Sequence, residues 1–204
     1  MNLYSHMIAV TNRRFFDSAP NPRGAFLHRV ESVLSLRPRA LVLREKDLTP
    51  EAYRALAAQI LSFSAEVPII LHGFPQIAAE LGAKHLHLPL PLLQQLSAEN
   101  PACLRCFSCL GSSVHSVEDA RLAVSLGVSY CFAGNIFETS CKPGLDGRGL
   151  PFLREVSSAV SVPVYGIGGV NEENLPRLLK AGAAGGCMMS GFFSDPSPAP
   201  SRAL

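Results

Sequence analysis

The sequence predicts a TIM (β/α)8 barrel of eight parallel strands with a reduced last helix. Three observations carry that expectation. Short apolar runs alternate with amphipathic helical stretches, the order of parallel βαβ units. Helical stretches end at Leu81-Gly82-Ala83, Leu126-Gly127-Val128 and Ala181-Gly182-Ala183; each glycine suits a helix C′ position, and each triplet runs straight into a strand-like segment. The stretch from Val162 to Gly191 reads strand, glycine turn, helix, glycine, strand, glycine turn, with turns at Gly166-Ile167-Gly168-Gly169 and Met189-Ser190-Gly191. Loops after strands seven and eight of such a barrel commonly hold a phosphate, because glycine lets backbone N–H groups close on an anion. A plain crossover with turn glycines is the alternative reading of the same stretch.

The elements follow in order. Strand one spans about Met7 to Thr11, and Asn21-Pro22 leads into a helix carrying Val30, Val33 and Leu34. Strand two is Ala40 to Leu43. Thr49-Pro50 then supplies a cap and a first helical residue, and Tyr53, Leu56, Ala57, Ile60 and Leu61 mark one buried helix face. Strand three is Pro68 to Leu71, ended by His72-Gly73; strand four is Lys84 to Leu88, broken by Pro89-Leu90-Pro91. A weak helix is expected from about Pro91 to Leu96, and strand five near Cys106 to Ser112. Ser116 caps the next helix, with Asp119 completing a variant capping box. Strand six is Ser129 to Ala133, and the irregular stretch Gly134 to Gly149 is long enough to be functional. The Pro-rich tail after Phe193 cannot form a normal helix, which sets a barrel domain at 1–193 and a tail at 194–204.

Composition narrows the function classes. With 204 residues and 48% hydrophobic content, the chain suits one core, though about 250 residues is more usual for this fold. A net charge of +2 is too mild and dispersed for nucleic acid, and no apolar run reaches membrane-spanning length. The first ten residues lack a signal-peptide pattern, so a cytoplasmic enzyme is expected. Cys103, Cys106 and Cys109 share a C-x-x-C-x-x-C spacing, but Ser113 stands where a fourth thiolate would be wanted; free thiols are expected.

Sites on this fold gather at the carboxyl ends of the strands. Those positions offer Arg44 and Lys46 after strand two, His72 after strand three, His115 after strand five, and Asn135, Thr139, Cys141 and Lys142 after strand six. Gly168, Gly169, Met189, Ser190 and Gly191 make the two glycine turns. The set is cationic and hydrogen-bonding, suited to a small anion. His115 is the general acid/base candidate, since imidazole titrates near neutrality; a loop histidine that helps cap a helix is the alternative. His72, His85 and His87 are either three zinc-binding imidazoles or packed core histidines, and the core reading is preferred, with no metal or other cofactor expected.

Taken together, LREKDLTPEAYRALA (Leu43 to Ala57), LGAKHLHLP (Leu81 to Pro89), SVHSVEDA (Ser113 to Ala120), GNIFETSCKPGLDGRGL (Gly134 to Leu150) and IGGVNEENLPRLLKAGAAGGCMMSGFF (Ile167 to Phe193) carry a resemblance across nearly the whole chain. The sequence resembles the thiamine phosphate synthase and thiazole tautomerase superfamily, on the tautomerase (TenI-like) side. Synthases typically carry glutamine at the position of Val42, Asn-Asp at His72-Gly73, and a further acid near Pro89-Leu90-Pro91. Those carboxylates serve a magnesium ion on a diphosphate, and hard cations want oxygen ligands. The resemblance implies aromatisation of a dihydrothiazole carboxylate phosphate by proton transfer. His115 would be the acid/base, the glycine turns and Ser190 would hold the phosphate, and Thr139 to Lys142 would cover the ring and its carboxylate. Asn135 stands where tautomerases often carry histidine. A thiamine phosphate synthase, or a non-catalytic barrel binding thiazole or thiamine phosphates, are the alternatives. The expected partner is a small phosphorylated thiazole, with no nucleic acid and no membrane; a homo-oligomer is left open.

Overall fold

The computed structural model describes residues 2–63, 66–139 and 146–194. Eight parallel strands close a barrel in sequential order, β1 Met7–Val10, β2 Ala40–Leu43, β3 Ile69–His72, β4 His85–Pro89, β5 Cys109–Val114, β6 Tyr130–Gly134, β7 Val164–Ile167 and β8 Gly185–Met188. Closure is made by β8 against β1, where Ile8 pairs with Cys187. The connecting helices are α1 Pro22–Ser35, α2 Pro50–Leu61, α3 Pro75–Glu80, α4 Leu90–Glu99, α5 Pro101–Leu104, α6 Val117–Ser125, α7 Gly149–Ala159, α8 Leu175–Lys180 and α9 Ser190–Phe193.

The pleat sorts each strand between two cores. Ile8, Val10, Ala40, Val42, Ile70, Tyr130, Phe132, Tyr165 and Cys187 fill the barrel. The residues between them, such as Met7, Leu41, Leu71, Leu86 and Val114, join the helices in the larger outer core. Because residues two apart share a face, His85 and His87 on β4, and Ser113 two positions beyond Gly111 on β5, belong with the interior set. Aromatic bulk on β6 and β7 is accommodated by glycine opposite it: a side chain at Gly111 would strike the Tyr130 ring.

Several local signals act as expected. Thr49 accepts from the Ala52 N–H and Pro50 opens α2, while Ser116 accepts from the Asp119 N–H at the start of α6. Tyr53 does more than fill the α2 face. Its hydroxyl donates to the Leu43 carbonyl at 2.8 Å and accepts from the His72 N–H at 2.9 Å, tying α2 to the ends of β2 and β3.

Two boundaries differ from expectation. Strand five begins at Cys109, not Cys106, because Asn100 caps and Pro101 opens an extra turn, α5, whose exit runs through Cys106 and Phe107. The cysteine triplet is thereby divided among a helix, a turn and a strand. The expected weak helix after strand four is a full one, Leu90–Glu99, burying Leu90, Leu93 and Leu96. After β8 the described chain makes one turn, α9, in keeping with a reduced last helix; the expected tail at 194–204 lies, beyond Ser194, outside the described residues. Phe192 and Phe193 are buried there, and Arg29 of α1 donates to the Phe192 carbonyl at 2.6 Å. No helix among the described residues is long and apolar enough to cross a membrane.

Candidate active site

The carboxyl ends of the strands bring most of the expected residues to one mouth. His115 follows β5 directly. Its backbone N–H donates to Asp119 Oδ2 at 2.8 Å, so the start of α6 fixes its place. Its ring Nδ1 lies 2.8 Å from the Gly134 carbonyl at the end of β6. A carbonyl only accepts, so Nδ1 carries the hydrogen and the neutral ring keeps its lone pair on Nε2. The side chain is otherwise exposed at the rim.

His72 sits at the end of β3, only 7% exposed, with its ring stacked on His87 at 5.7 Å between centroids. Burial, then the neighbouring charges of Arg44 and Lys46, push its pKa down to about 3. It is therefore neutral near pH 7, and the two cations after β2 are close enough to feel it. His87 is fully enclosed: burial, with His72 and Arg44 nearby, holds it well below the usual imidazole range. It contacts Tyr130 and Ser113 by hydrogen bonds and stacks on Phe132 at 4.2 Å. His72 and His87 are thus packed core histidines, while His85 is half-buried. Among the described residues no group of three or more His, Cys, Asp or Glu is placed to hold a metal ion.

The loop after β2 is anchored by a residue that sequence reasoning passed over. Glu45 is 2% exposed; it accepts from Thr11 Oγ1 at 2.6 Å and from the Arg13 N–H at 3.1 Å. Thr11 Oγ1 in turn accepts from the Arg44 N–H at 3.0 Å, so the hydroxyl hydrogen belongs to Glu45. Burial raises the Glu45 pKa, and Thr11 and Arg13 work against that rise. Asp47 is taken by Arg13, and by Arg14 at 3.2 Å. Both acids of this loop are therefore engaged with the β1–α1 segment, while Arg44 and Lys46 carry the loop's positive charge. The signal was legible in hindsight only as the alternation Arg-Glu-Lys-Asp.

After β6 the chain turns sharply, with a cis peptide between Gly134 and Asn135. Asn135 is buried, and its amide lies 3.4 Å from the Phe137 carbonyl and 3.5 Å from that of Asp146, bracing its own loop. Thr139 is half-buried farther along; Cys141 and Lys142 lie outside the described residues. The two glycine turns leave the barrel side by side, since Ile167 pairs with Cys187. Gly168 and Gly169 have φ of 96° and 64°, and any side chain there would meet Asn135 or the Phe137–Glu138 backbone. These glycines are required first by close packing of two loops. Met189, Ser190 and Gly191 start α9, whose first turn has no side-chain cap. Arg177 of α8 lies over the Phe137 ring at 5.4 Å, supporting the loop from outside.

Magnesium chemistry on a diphosphate needs carboxylate oxygens at this mouth. The ends of β3 and β4 present His72, Gly73 and Pro89 instead. The residues present do not fit that ion there.

Comparison with known proteins agrees with this architecture. A thiamine phosphate pyrophosphorylase from Pyrococcus furiosus superposes with a TM-score of 0.77 over 96% of this chain and 90% of its own, at 22% identity, which speaks to fold. A thiamine-phosphate synthase of Roseiflexus castenholzii is 34% identical over 174 residues, 81% of this chain and 73% of its own length. One from Thermus thermophilus is 33% identical over 178 residues, 85% of this chain and 84% of its own. A putative thiamine-phosphate synthase 2 of Aquifex aeolicus is 30% identical over 191 residues, 92% of this chain and 97% of its own. The family model described as thiamine monophosphate synthase (TMP-TENI) matches residues 8–192, and this chain belongs to that family.

Proposed function

We propose that this chain is an isomerase of thiamine biosynthesis that aromatises a carboxythiazole phosphate by proton transfer. The observation that carries the reading is the His115 ring at the barrel mouth, whose Nδ1 is held by the Gly134 carbonyl so that Nε2 is the nitrogen left to face a ligand. In this reaction Nε2 takes a proton from one carbon of the dihydrothiazole unit and returns it to the other. The double bond moves into the ring, the proton count is unchanged, and no leaving group departs. Arg44 and Lys46 supply positive charge for the anionic substrate, beside a neutral His72. Thr139, Cys141 and Lys142 belong to the loop that would cover the ring and its carboxylate, with Asn135 bracing its start. Gly168, Gly169, Met189, Ser190 and Gly191 would take the phosphate.

The names of the relatives favour a second reading, the coupling of a pyrimidine diphosphate to a thiazole phosphate. Its weakness here is that the ends of β3 and β4 carry His72, Gly73 and Pro89 in place of carboxylates for a metal. Both reactions should be assayed with and without Mg²⁺. Isomerisation independent of Mg²⁺, reduced about 10²- to 10⁴-fold in His115→Ala, is expected. Mg²⁺-dependent coupling as the main activity, or a His115→Ala enzyme that isomerises as fast as wild type, would overturn the isomerase reading.

A further inference from the structure

Beneath His115 the barrel contains a chain of three polar side chains with a definite direction. Tyr130 on β6 is buried, and its hydroxyl lies 3.2 Å from His87 Nδ1. His87 Nε2 lies 2.9 Å from Ser113 Oγ. Among the described residues these are the hydrogen bonds recorded for all three side chains, and Ser113 alone is part-exposed toward the mouth.

A neutral imidazole has one donor and one acceptor, so two arrangements exist. In one, Nδ1–H donates to Tyr130, Ser113 donates to Nε2, and the Tyr130 hydrogen is left buried without an acceptor. In the other, Tyr130 donates to Nδ1, Nε2–H donates to Ser113, and the Ser113 hydrogen remains free. The first leaves a polar hydrogen desolvated and unpaired deep in an apolar barrel, which is costly. The second satisfies every buried group and places the one unpaired hydrogen at the mouth, where solvent or ligand can accept it. Burial keeps His87 neutral, so the doubly protonated ring does not compete.

We infer that Tyr130 is a positioning residue that sets the His87 tautomer and thereby makes the Ser113 hydroxyl a hydrogen-bond donor to the bound ligand. Resting on the proposed thiazole substrate, the acceptor is a ring nitrogen or carboxylate oxygen of that molecule, lying between Ser113 and His115. Ser113 lies near the end of β5 and His115 directly follows that strand, so donor and base leave the barrel wall at one place. Tyr130 does not touch the substrate. It acts from the opposite side of His87.

Two measurements test this. Nitrogen-15 NMR of the His87 ring in the substrate-free wild-type protein is expected to show hydrogen on Nε2 and a lone pair on Nδ1. A ring protonated on Nδ1 overturns the inference whatever the enzyme's reaction proves to be. Kinetics with the carboxythiazole phosphate precursor then compare wild type, Tyr130→Phe, Ser113→Ala and the double variant. Ser113→Ala should lower kcat/KM about tenfold and Tyr130→Phe by a smaller factor, with the Tyr130→Phe effect vanishing in the Ser113→Ala background. Independent, multiplicative effects, or a Tyr130→Phe enzyme equal to wild type, would show that the chain does not act through Ser113. If Tyr130→Phe does not fold, the wild-type NMR measurement still decides the tautomer.

Discussion

His72 and His87 are imidazoles that the folded chain keeps neutral and the unfolded chain does not. Each binds a proton below about pH 6.5 when unfolded, while His72 in the fold waits until about pH 3 and His87 is also pushed well down. Their folded pKa values lie below the unfolded ones, so the stability they contribute is present above pH 6.5 and is lost as pH falls toward the folded values. The slope is about 1.4 kcal/mol per pH unit for each ring. Urea unfolding at pH 7 and pH 5 should therefore show a steep loss, and His72→Asn should make that loss shallower. His115 was legible from sequence because it directly follows a strand at the catalytic end. Ser113 and Tyr130 were not, because their link runs through His87 across three neighbouring strands, and only barrel register brings the three together.

Elements were read well where a cap and a period agree. Thr49-Pro50 and the apolar face of α2 mark that helix without ambiguity. The start of β5 was misplaced because Cys106, Phe107 and Leu110 read as one apolar run; Asn100-Pro101 held the corrective signal, a cap followed by a first-turn proline. What no pattern could show is how α2 is attached. Tyr53→Phe keeps the ring but leaves the Leu43 carbonyl and the His72 N–H without their buried partner. It should cost about 2 kcal/mol in chemical denaturation. Because His72 shares that bond, its ring position at the mouth should shift too, seen as a changed His72 NMR signal. The β2–α2 loop has the same character. Arg44 and Lys46 stand out as charges in the sequence, but the buried Glu45–Thr11 bond that anchors their backbone joins two segments more than thirty positions apart.

At the scale of the whole molecule, the described residues after β8 form one short turn against the barrel. α9 is four residues long, yet Phe193 is fully buried and Phe26 of α1 lies 6.1 Å from it between ring centroids. Tyr4, ahead of β1, packs on Phe192 at 5.8 Å, and its hydroxyl donates to Glu172 at 2.8 Å, just before α8. Aromatic side chains from both ends of the described chain thus stand in the wall where a longer helix would pack. Phe193→Ala should cost about 3–5 kcal/mol, read as a lowered thermal or urea midpoint, because the cavity opens against α1 rather than at a surface that can collapse.

The order and direction of the strands, most helix starts and the family were determined by the sequence itself, since alternation, caps and glycine stops are local and each acts within a few residues. So was the end of the barrel at which the candidate residues gather. The tertiary structure decided which groups meet: the Gly134 carbonyl that orients His115, the burial beside Arg44 and Lys46 that keeps His72 neutral, and the Tyr130–His87–Ser113 chain. Those depend on register between strands, and a hydrogen bond is sensitive to a few tenths of an ångström that a hydrophobic period does not encode.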